Sequence, residues 1–246
     1  MPAPTFICIG VQKGGTTSFI NYMNRHPEIY VANNELHFFD SVEPVKERIL
    51  SYESAFTPGN KKIIGEKTPS YCYLRPAIDR IYRYNPRMKL VMILREPVSR
   101  AYSHYNMDFP TGNNFLEVVL KEKDVPSAAI KKNGLHHVVR GFYDQQINYI
   151  LSKFPREQLH IAISEEIKTN KQEEYNSVFR FLGTTKEIEI DTVRDMHIRK
   201  YQKPIKRSDA LVLYNIYKPH IEKLYRILGR RIIPWENYYN QLLSDS

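Results

Sequence analysis

Cysteine is scarce in this 246-residue chain: Cys8 and Cys72 are the only two, and two make neither a disulfide framework nor a zinc-binding set. Cys8 falls inside an apolar run, so both read as buried thiols. No stretch approaches the ~18 consecutive apolar residues of a membrane span, and MPAPTFICIG at the start carries no basic leader. The chain as written therefore reads as soluble. Fifteen prolines and ten glycines are scattered, with no Gly/Ser or Pro block and no fixed-period repeat, which excludes a linker or a solenoid. The 42% hydrophobic content suffices for a sizeable core, and one globular domain over 1–246 is expected. Acidic residues are outnumbered, 27 Asp and Glu against 36 Lys and Arg, leaving +9. That balance favours an anionic partner without choosing among polyphosphate nucleotide, acidic glycan, nucleic acid and membrane surface.

A further absence is local. GVQKGGTTS (10 to 18) keeps the glycine spacing of a Walker loop at Gly10 and Gly15, but Thr16 stands where that loop has its lysine, and the lysine here is Lys13. TFICIG before it is a short β-rich apolar run, and Phe19, Ile20 and Met23 after it recur at helical spacing, so the unit reads strand, loop, helix. KKIIGEKT (61 to 68), MKLVMILREP (88 to 97) and QLHIAIS (158 to 164) supply further strands. Helices are expected at PAIDRIYRYN with Pro76 in its first turn, over 98 to 107, over 134 to 152 with Leu135, Val138, Val139 and Phe142 on one face, and over Glu173 to Leu182 up to Gly183. The tail from Ser208 reads as two helical pieces divided by Pro219 and closed by Gly229. Strands alternating with helices predict an α/β fold, a P-loop-like parallel sheet flanked by helices, with its ligand beyond the carboxyl ends of the strands.

Several residues could then carry chemistry. The amides of Gly14, Gly15 and Thr16, the helix dipole and the hydroxyls of Thr16, Thr17 and Ser18 would cradle a phosphate, with Lys13 beside them. A kinase or NTPase needs an acid at the end of a second core strand to hold Mg²⁺. Here LVMIL ends in Arg95, which suits a second phosphate held without metal, and Ser103 lies two turns along the following helix. Read singly, Arg95 is equally an ion-pair partner and Ser103 a solvated helix residue. In NNELHFFD (33 to 40), Phe38 and Phe39 read as core, while Glu35 and His37 flank one residue near the anion loop, where a carboxylate can serve as general base. Lys67 in GEKTPSY projects toward the ligand edge or simply into solvent. HIRKYQKPIKR (197 to 207) is a basic run that either forms a solvated loop or closes over a polyanion.

Taken in order, GVQKGGTTS, NELHFFD, GEKTPSY and LREPVSRAYSHY resemble the sulfotransferases that use 3′-phosphoadenosine 5′-phosphosulfate (PAPS), in particular the heparan-sulfate-type branch and its bacterial relatives. The resemblance is detailed from about Phe6 to Tyr105 and looser to LYRILGRRI. It implies that the loop holds the 5′-phosphosulfate and that Lys13 contacts the leaving oxygen. Arg95 and Ser103 would hold the 3′-phosphate, Glu35 would act as base with His37 beside it, and Lys67 would be a site lysine. It also implies transfer without a metal. The chain has no cysteine after Cys72 and no Lys-Gly pair in HIRKYQKPIKR, so Arg199, Lys200 and Lys203 stand as alternatives for the late cofactor contact.

The expected function is sulfuryl transfer from PAPS to a hydroxyl, or an amine, of a glycan or small alcohol. Loops 41 to 60 and 108 to 133 are expected to build the acceptor pocket. No nucleic-acid partner is expected. The cytoplasm is the default compartment, with the Golgi lumen as the alternative for a chain that has lost a leader. Two other readings stand beside it: a P-loop phosphotransferase using ATP and Mg²⁺, and a non-catalytic relative that binds an anionic glycan.

Overall fold

Apolar runs too short for helices become the strands of one parallel sheet. The computed structural model of the chain describes residues 2–41, 45–110, 114–126, 129, 131, 134, 136–190 and 204–244, and every structural statement concerns those. They pack as two compact units, the first Met1–Leu94 with Tyr149–Ile198, the second Arg95–Asn148 with Arg199–Ser246.

The first unit holds the sheet. Its strands are β1 (Phe6–Gly10), β2 (Ile29–Val31), β3 (Ile63–Lys67), β4 (Lys89–Leu94) and β5 (Leu159–Ile163), in the order β2-β3-β1-β4-β5 with every pairing parallel. All five residues of the central β1 are buried, as a strand covered on both faces requires. Successive side chains alternate between faces. Phe6, Cys8, Val91, Ile93 and Ala162 pack on one side with Phe19, Ile20 and Met23 of α1 (Thr16–Met23) and with Tyr175, Val178 and Phe179 of α8 (Lys171–Leu182). Burial pushes the Cys8 thiol up to about 12, in keeping with an inert core cysteine. Between β2 and β3 the chain forms α2 (Val45–Ser54), between β3 and β4 α3 (Arg75–Tyr84), and after β5 the short α7 (Ser164–Thr169). α3 has Pro76 in its first turn, as the sequence predicts, and α8 ends at Gly183 with φ +90°.

The second unit is helical: α4 (Pro97–Asp108), α5 (Phe115–Glu122), α9 (Arg207–Leu228) and α10 (Ile233–Ser244). α6 (Tyr143–Leu151) runs across the division between the units. Two expectations fail here. The helix expected over 134 to 152 begins at Tyr143, preceded by a single 3₁₀ turn, Val139–Gly141. A Cβ on Gly141 would lie 2.7 Å from the Tyr217 ring, so close packing at that glycine interrupts the helical path, although Val138, Val139 and Phe142 are buried as expected. Leu135 lies outside the described residues. Pro219 does not divide the tail, because it sits inside the continuous α9. The buried positions Leu213, Tyr217, Ile221 and Leu224 keep helical spacing through it, and that packing outweighs the missing amide. The helix ends at Gly229, φ +69°, and a second helix not foreseen, α10, follows. Among the described residues no helix is long and apolar enough to cross a membrane.

Candidate active site

β1 runs into α1 through residues 11 to 15, and two backbone hydrogen bonds fix the turn: Val11 N–H donates to Ile93 O at 3.0 Å and Gly14 N–H to Val11 O at 2.9 Å. A Cβ on Gly14 would stand 2.5 Å from the Ile93 carbonyl oxygen, so only glycine fits. Gly15 is the N-cap of α1 at φ +91°, again a glycine conformation. The Gly14 amide, expected in an anion cradle, is therefore committed inside the turn. The first intrahelical bond of α1 is Phe19 N–H to Gly15 O, 3.1 Å. The helix itself thus supplies no acceptor for the amides of Thr16, Thr17 and Ser18. With Gly15 and Thr17 exposed and the positive end of the helix dipole behind them, these donors suit an anion. Lys13 is half-buried at φ +68°.

The segment 33 to 40 follows β2 and carries the next group. Phe38 and Phe39 are core residues, as expected, with Phe38 stacked on Tyr52 at 4.1 Å between ring centroids. Lys67, the last residue of β3, places Nζ 3.0 Å from Glu35 Oε1 and 3.4 Å from Thr17 Oγ1. One cation thus ties the candidate base to the first turn of α1, and the reading of Lys67 as a solvated strand end fails. His37 Nδ1 lies 2.8 Å from Asp40 Oδ2, which also accepts from Ser70 Oγ at 2.6 Å. Its other nitrogen, Nε2, is 3.5 Å from Glu35 Oε2. The charge therefore gathers at the carboxyl ends of β1 and β3, where a parallel sheet holds its ligands. Among the described residues only Lys13 and His37 are non-glycines with positive φ, +68° and +50°. Such conformations persist where the surroundings over-determine them, and both fall on candidate site residues.

Glu66 was missed by sequence reasoning. It is fully buried beneath this group and accepts hydrogen bonds from Tyr52, Thr68 and Tyr71. Strand alternation was the available signal, because it sends Glu66 and Lys67 to opposite faces of β3.

In the second unit, half-buried Arg95 has its carbonyl held by the Tyr143 hydroxyl at 2.8 Å. Glu96, the N-cap of α4, accepts from the amides of Val98 and Ser99 at 2.8 and 2.6 Å. Ser103 is 1% exposed, so it is no solvated helix residue. Arg199 and Lys200, with Lys203, lie outside the described residues. Elsewhere in this unit, His104, Asp108 and His137 each offer a metal-ligand atom within 4.8 Å of the others. Protein groups occupy those atoms. His137 lies between Glu122 Oε1 (2.7 Å) and Asp108 Oδ2 (3.0 Å), and Arg140 Nη1 is 3.3 Å from His104 Nε2.

A parallel sheet with a glycine turn leading into a donor-rich helix start defines an α/β protein whose loop suits an anion. A model of the sulfotransferase domain matches residues 3–210, and the chain belongs to that family. It is similar to heparan sulfate glucosamine 3-O-sulfotransferase 5 of Mus musculus, 31% identical over 184 residues that cover 73% of this chain and 53% of that protein. Heparan sulfate glucosamine 3-O-sulfotransferase 6 of Homo sapiens is 31% identical over 191 residues, with 73% and 52% covered. The chain spans about half the length of these curated relatives. Among solved structures, a sulfotransferase from Alicyclobacillus acidocaldarius shares the fold with a TM-score of 0.75 at 23% identity, over 96% of this chain and 100% of that one. The sulfotransferase domain of the curacin biosynthetic pathway shares it less closely, with a TM-score of 0.55 at 12% identity over 76% of each chain.

Proposed function

We propose that residues 1–246 act as one sulfotransferase domain that moves a sulfuryl group from PAPS to a hydroxyl of a carbohydrate acceptor. The observation that carries the reading is the position of Lys67, bonded both to the candidate base Glu35 and to Thr17 at the anion-binding helix start. Family membership supports the chemistry, and the glycan acceptors in the names of the 31%-identical relatives support a carbohydrate over a small alcohol or an amine.

Lys13, the loop and the first amides of α1 suit the 5′-phosphosulfate, and Arg95 with Ser103 suits the 3′-phosphate. PAPS brings a sulfuryl group already bonded to a good phosphate leaving group. Glu35 takes the proton of the acceptor hydroxyl as its oxygen forms the new S–O bond. The S–O bond to the phosphate breaks, and the electron pair left on the phosphate oxygen meets the charge of Lys13 and the α1 amides. Lys67 fixes the Glu35 carboxylate, while Asp40 fixes the ring of His37. Neither step calls for a metal, which separates this reading from an ATP- and Mg²⁺-dependent phosphotransferase.

The test is product formation from PAPS carrying labelled sulfur in EDTA, beside a parallel arm with ATP and Mg²⁺, with glucosamine-containing oligosaccharides, simple sugars and small alcohols as acceptors. Sulfated oligosaccharide is expected. Phosphoryl transfer from ATP that requires Mg²⁺ would overturn the proposal, and binding of 3′-phosphoadenosine 5′-phosphate (PAP) without transfer to any acceptor would leave the non-catalytic relative.

A further inference from the structure

We infer that Glu66 is a positioning residue for the Glu35–His37 segment, its buried carboxylate orienting the hydroxyls that hold the backbone amides of residues 37 to 39. The inference rests on the sulfotransferase reading for the meaning of that segment, and on hydrogen-bond direction for its argument.

Glu66 Oε1 accepts from Tyr52 at 2.8 Å and Tyr71 at 3.3 Å, and Oε2 accepts from Thr68 Oγ1 at 2.8 Å. A hydroxyl has one proton and two lone pairs. Once that proton is given to an ionised carboxylate, which can only accept, the lone pairs are left for donors on the other side. Those donors are consecutive backbone amides. Tyr71 Oη accepts from Phe38 N–H at 2.9 Å and Phe39 N–H at 3.3 Å, and Thr68 Oγ1 accepts from His37 N–H at 3.4 Å. The grip falls on the segment where His37 takes φ +50°, a conformation that costs free energy unless it is held. Adjacent residues of β3 therefore address this segment from opposite faces, Lys67 through the Glu35 side chain and Glu66 through the backbone.

Protonation would reverse part of the pattern. A neutral Glu66 donates one hydrogen bond itself, so one hydroxyl must turn its own proton away from it and toward an amide donor. Burial raises this carboxyl to about 7. The ionisable groups around it are Tyr52 of α2, Tyr71, Asp40, Tyr84 of α3 and Cys8 of β1. The ionised form orients the segment, so turnover falls as pH drops through about 7. Stability moves the other way. With the folded value raised above the unfolded 4.5, the native state binds the extra proton. This group's stabilisation is therefore full at acid pH and is lost as pH rises from about 4.5 to about 7. A merely structural carboxylate would give stability and turnover the same trend.

The experiment compares wild type with Glu66→Gln and Tyr71→Phe across pH 5.5 to 8.5, by turnover, PAP binding and the amide N–H chemical shifts of His37, Phe38 and Phe39. Glu66→Gln keeps the shape and puts an amide donor where Thr68 needs an acceptor. Its turnover should fall roughly 10-fold, the scale of one hydrogen bond, with PAP binding within about twofold. In wild type the three amide shifts should titrate near 7 together with turnover, and in Glu66→Gln that step should vanish from both. The double variant should be no worse than the poorer single variant, because both act through one network. Wild-type turnover and pH profile in Glu66→Gln, or flat amide shifts in wild type, would overturn the inference. Should Glu66→Gln fail to fold, Tyr71→Phe decides: it must move the Phe38 and Phe39 amides and lower turnover with PAP binding intact, and unchanged values would be fatal. A wild type that transfers no sulfuryl group removes the sulfotransferase reading, while the amide shifts still judge the hub.

Discussion

Glu66 and Glu96 are both buried carboxyls raised above the usual range by burial. Each adjoins a basic residue singled out in the sequence, Lys67 after the first and Arg95 before the second. The first unit answers its glutamate with hydroxyls, from Tyr52, Thr68 and Tyr71. The second answers its own with the backbone amides of Val98 and Ser99, together with Tyr239 Oη at 2.8 Å. An amide proton points where the backbone sends it, whereas a hydroxyl rotates. Glu96 therefore pins the start of α4 directly after Arg95, as capping carboxylates do. Glu66 sets rotors that in turn hold a strained segment. Equal burial and equal side chains thus lead to different consequences, and the donors decide which carboxylate passes a protonation event on to the chemistry.

The largest expected effect tests what the first network serves. If it exists to aim Glu35, then Glu35→Gln, which keeps the shape and loses the base, should lower turnover by roughly 10²- to 10⁴-fold, the range for general base catalysis. PAP affinity should barely change, because the base acts on the acceptor. Product formation beside calorimetric PAP binding checks both. Near-normal turnover would pass the role to His37 and leave the Glu66 network aiming at the wrong side chain.

The first network was partly legible because its members lie in two short, contiguous stretches. NELHFFD and GEKTPSY each expose a charged residue beside core aromatics, and a strand ending in Lys67 announces that lysine to the ligand edge. Glu66 was hidden by the same pattern, since alternation points it inward, and its partner Tyr52 lies outside both stretches. The sequence read the loop as an anion site with the Gly14 amide in the cradle, whereas that amide donates to Val11 O: a turn closed onto Val11 depends on backbone direction, which glycine leaves open. In the second unit, tertiary packing overrode two local signals, the proline inside α9 and the apolar spacing before Gly141. β2, α2, α5 and α10 went unread because three strand residues, or helices amid charged and aromatic residues, give little periodicity before their partners are known.

A smaller effect probes the residue that Glu96 adjoins. Arg95→Ala removes a cation proposed to bind the 3′-phosphate, and charge-assisted hydrogen bonds contribute about 1.5–3 kcal/mol. PAP affinity should fall roughly 10- to 100-fold, while the weaker binding of AMP, which lacks the 3′-phosphate, should change little. Titration calorimetry with both nucleotides reads the difference. Equal losses for the two would show that Arg95 does not read the 3′-phosphate, and the pinning of α4 by Glu96 would then lose its functional counterpart to the network around Glu35.

The smallest effect separates the two glutamates most directly. Glu96→Gln keeps one acceptor oxygen but turns an amide donor toward one of two N–H groups that it must receive, so a cap is damaged without emptying the site. Loss of a capping side chain costs about 1 kcal/mol, which for a chain of this size is a fall in melting temperature of about 2–4 °C. The sign with pH follows from the raised carboxyl. Wild-type Glu96 is most stabilising while protonated and loses that advantage as pH rises above the ordinary carboxylate range, so the deficit of Glu96→Gln should be greater at pH 5 than at pH 8. Turnover should keep the wild-type pH profile, since the amides of residues 37 to 39 are held by Thr68 and Tyr71, whereas the partners of Glu96 are the amides of Val98 and Ser99 and the Tyr239 hydroxyl. Thermal melts at the two pH values and a pH–rate curve provide the check. If Glu96→Gln erased an acid limb as Glu66→Gln is expected to do, hydroxyls that in turn hold the 37 to 39 amides would no longer be what distinguishes a carboxylate that positions the catalytic segment from one that only holds a helix in place.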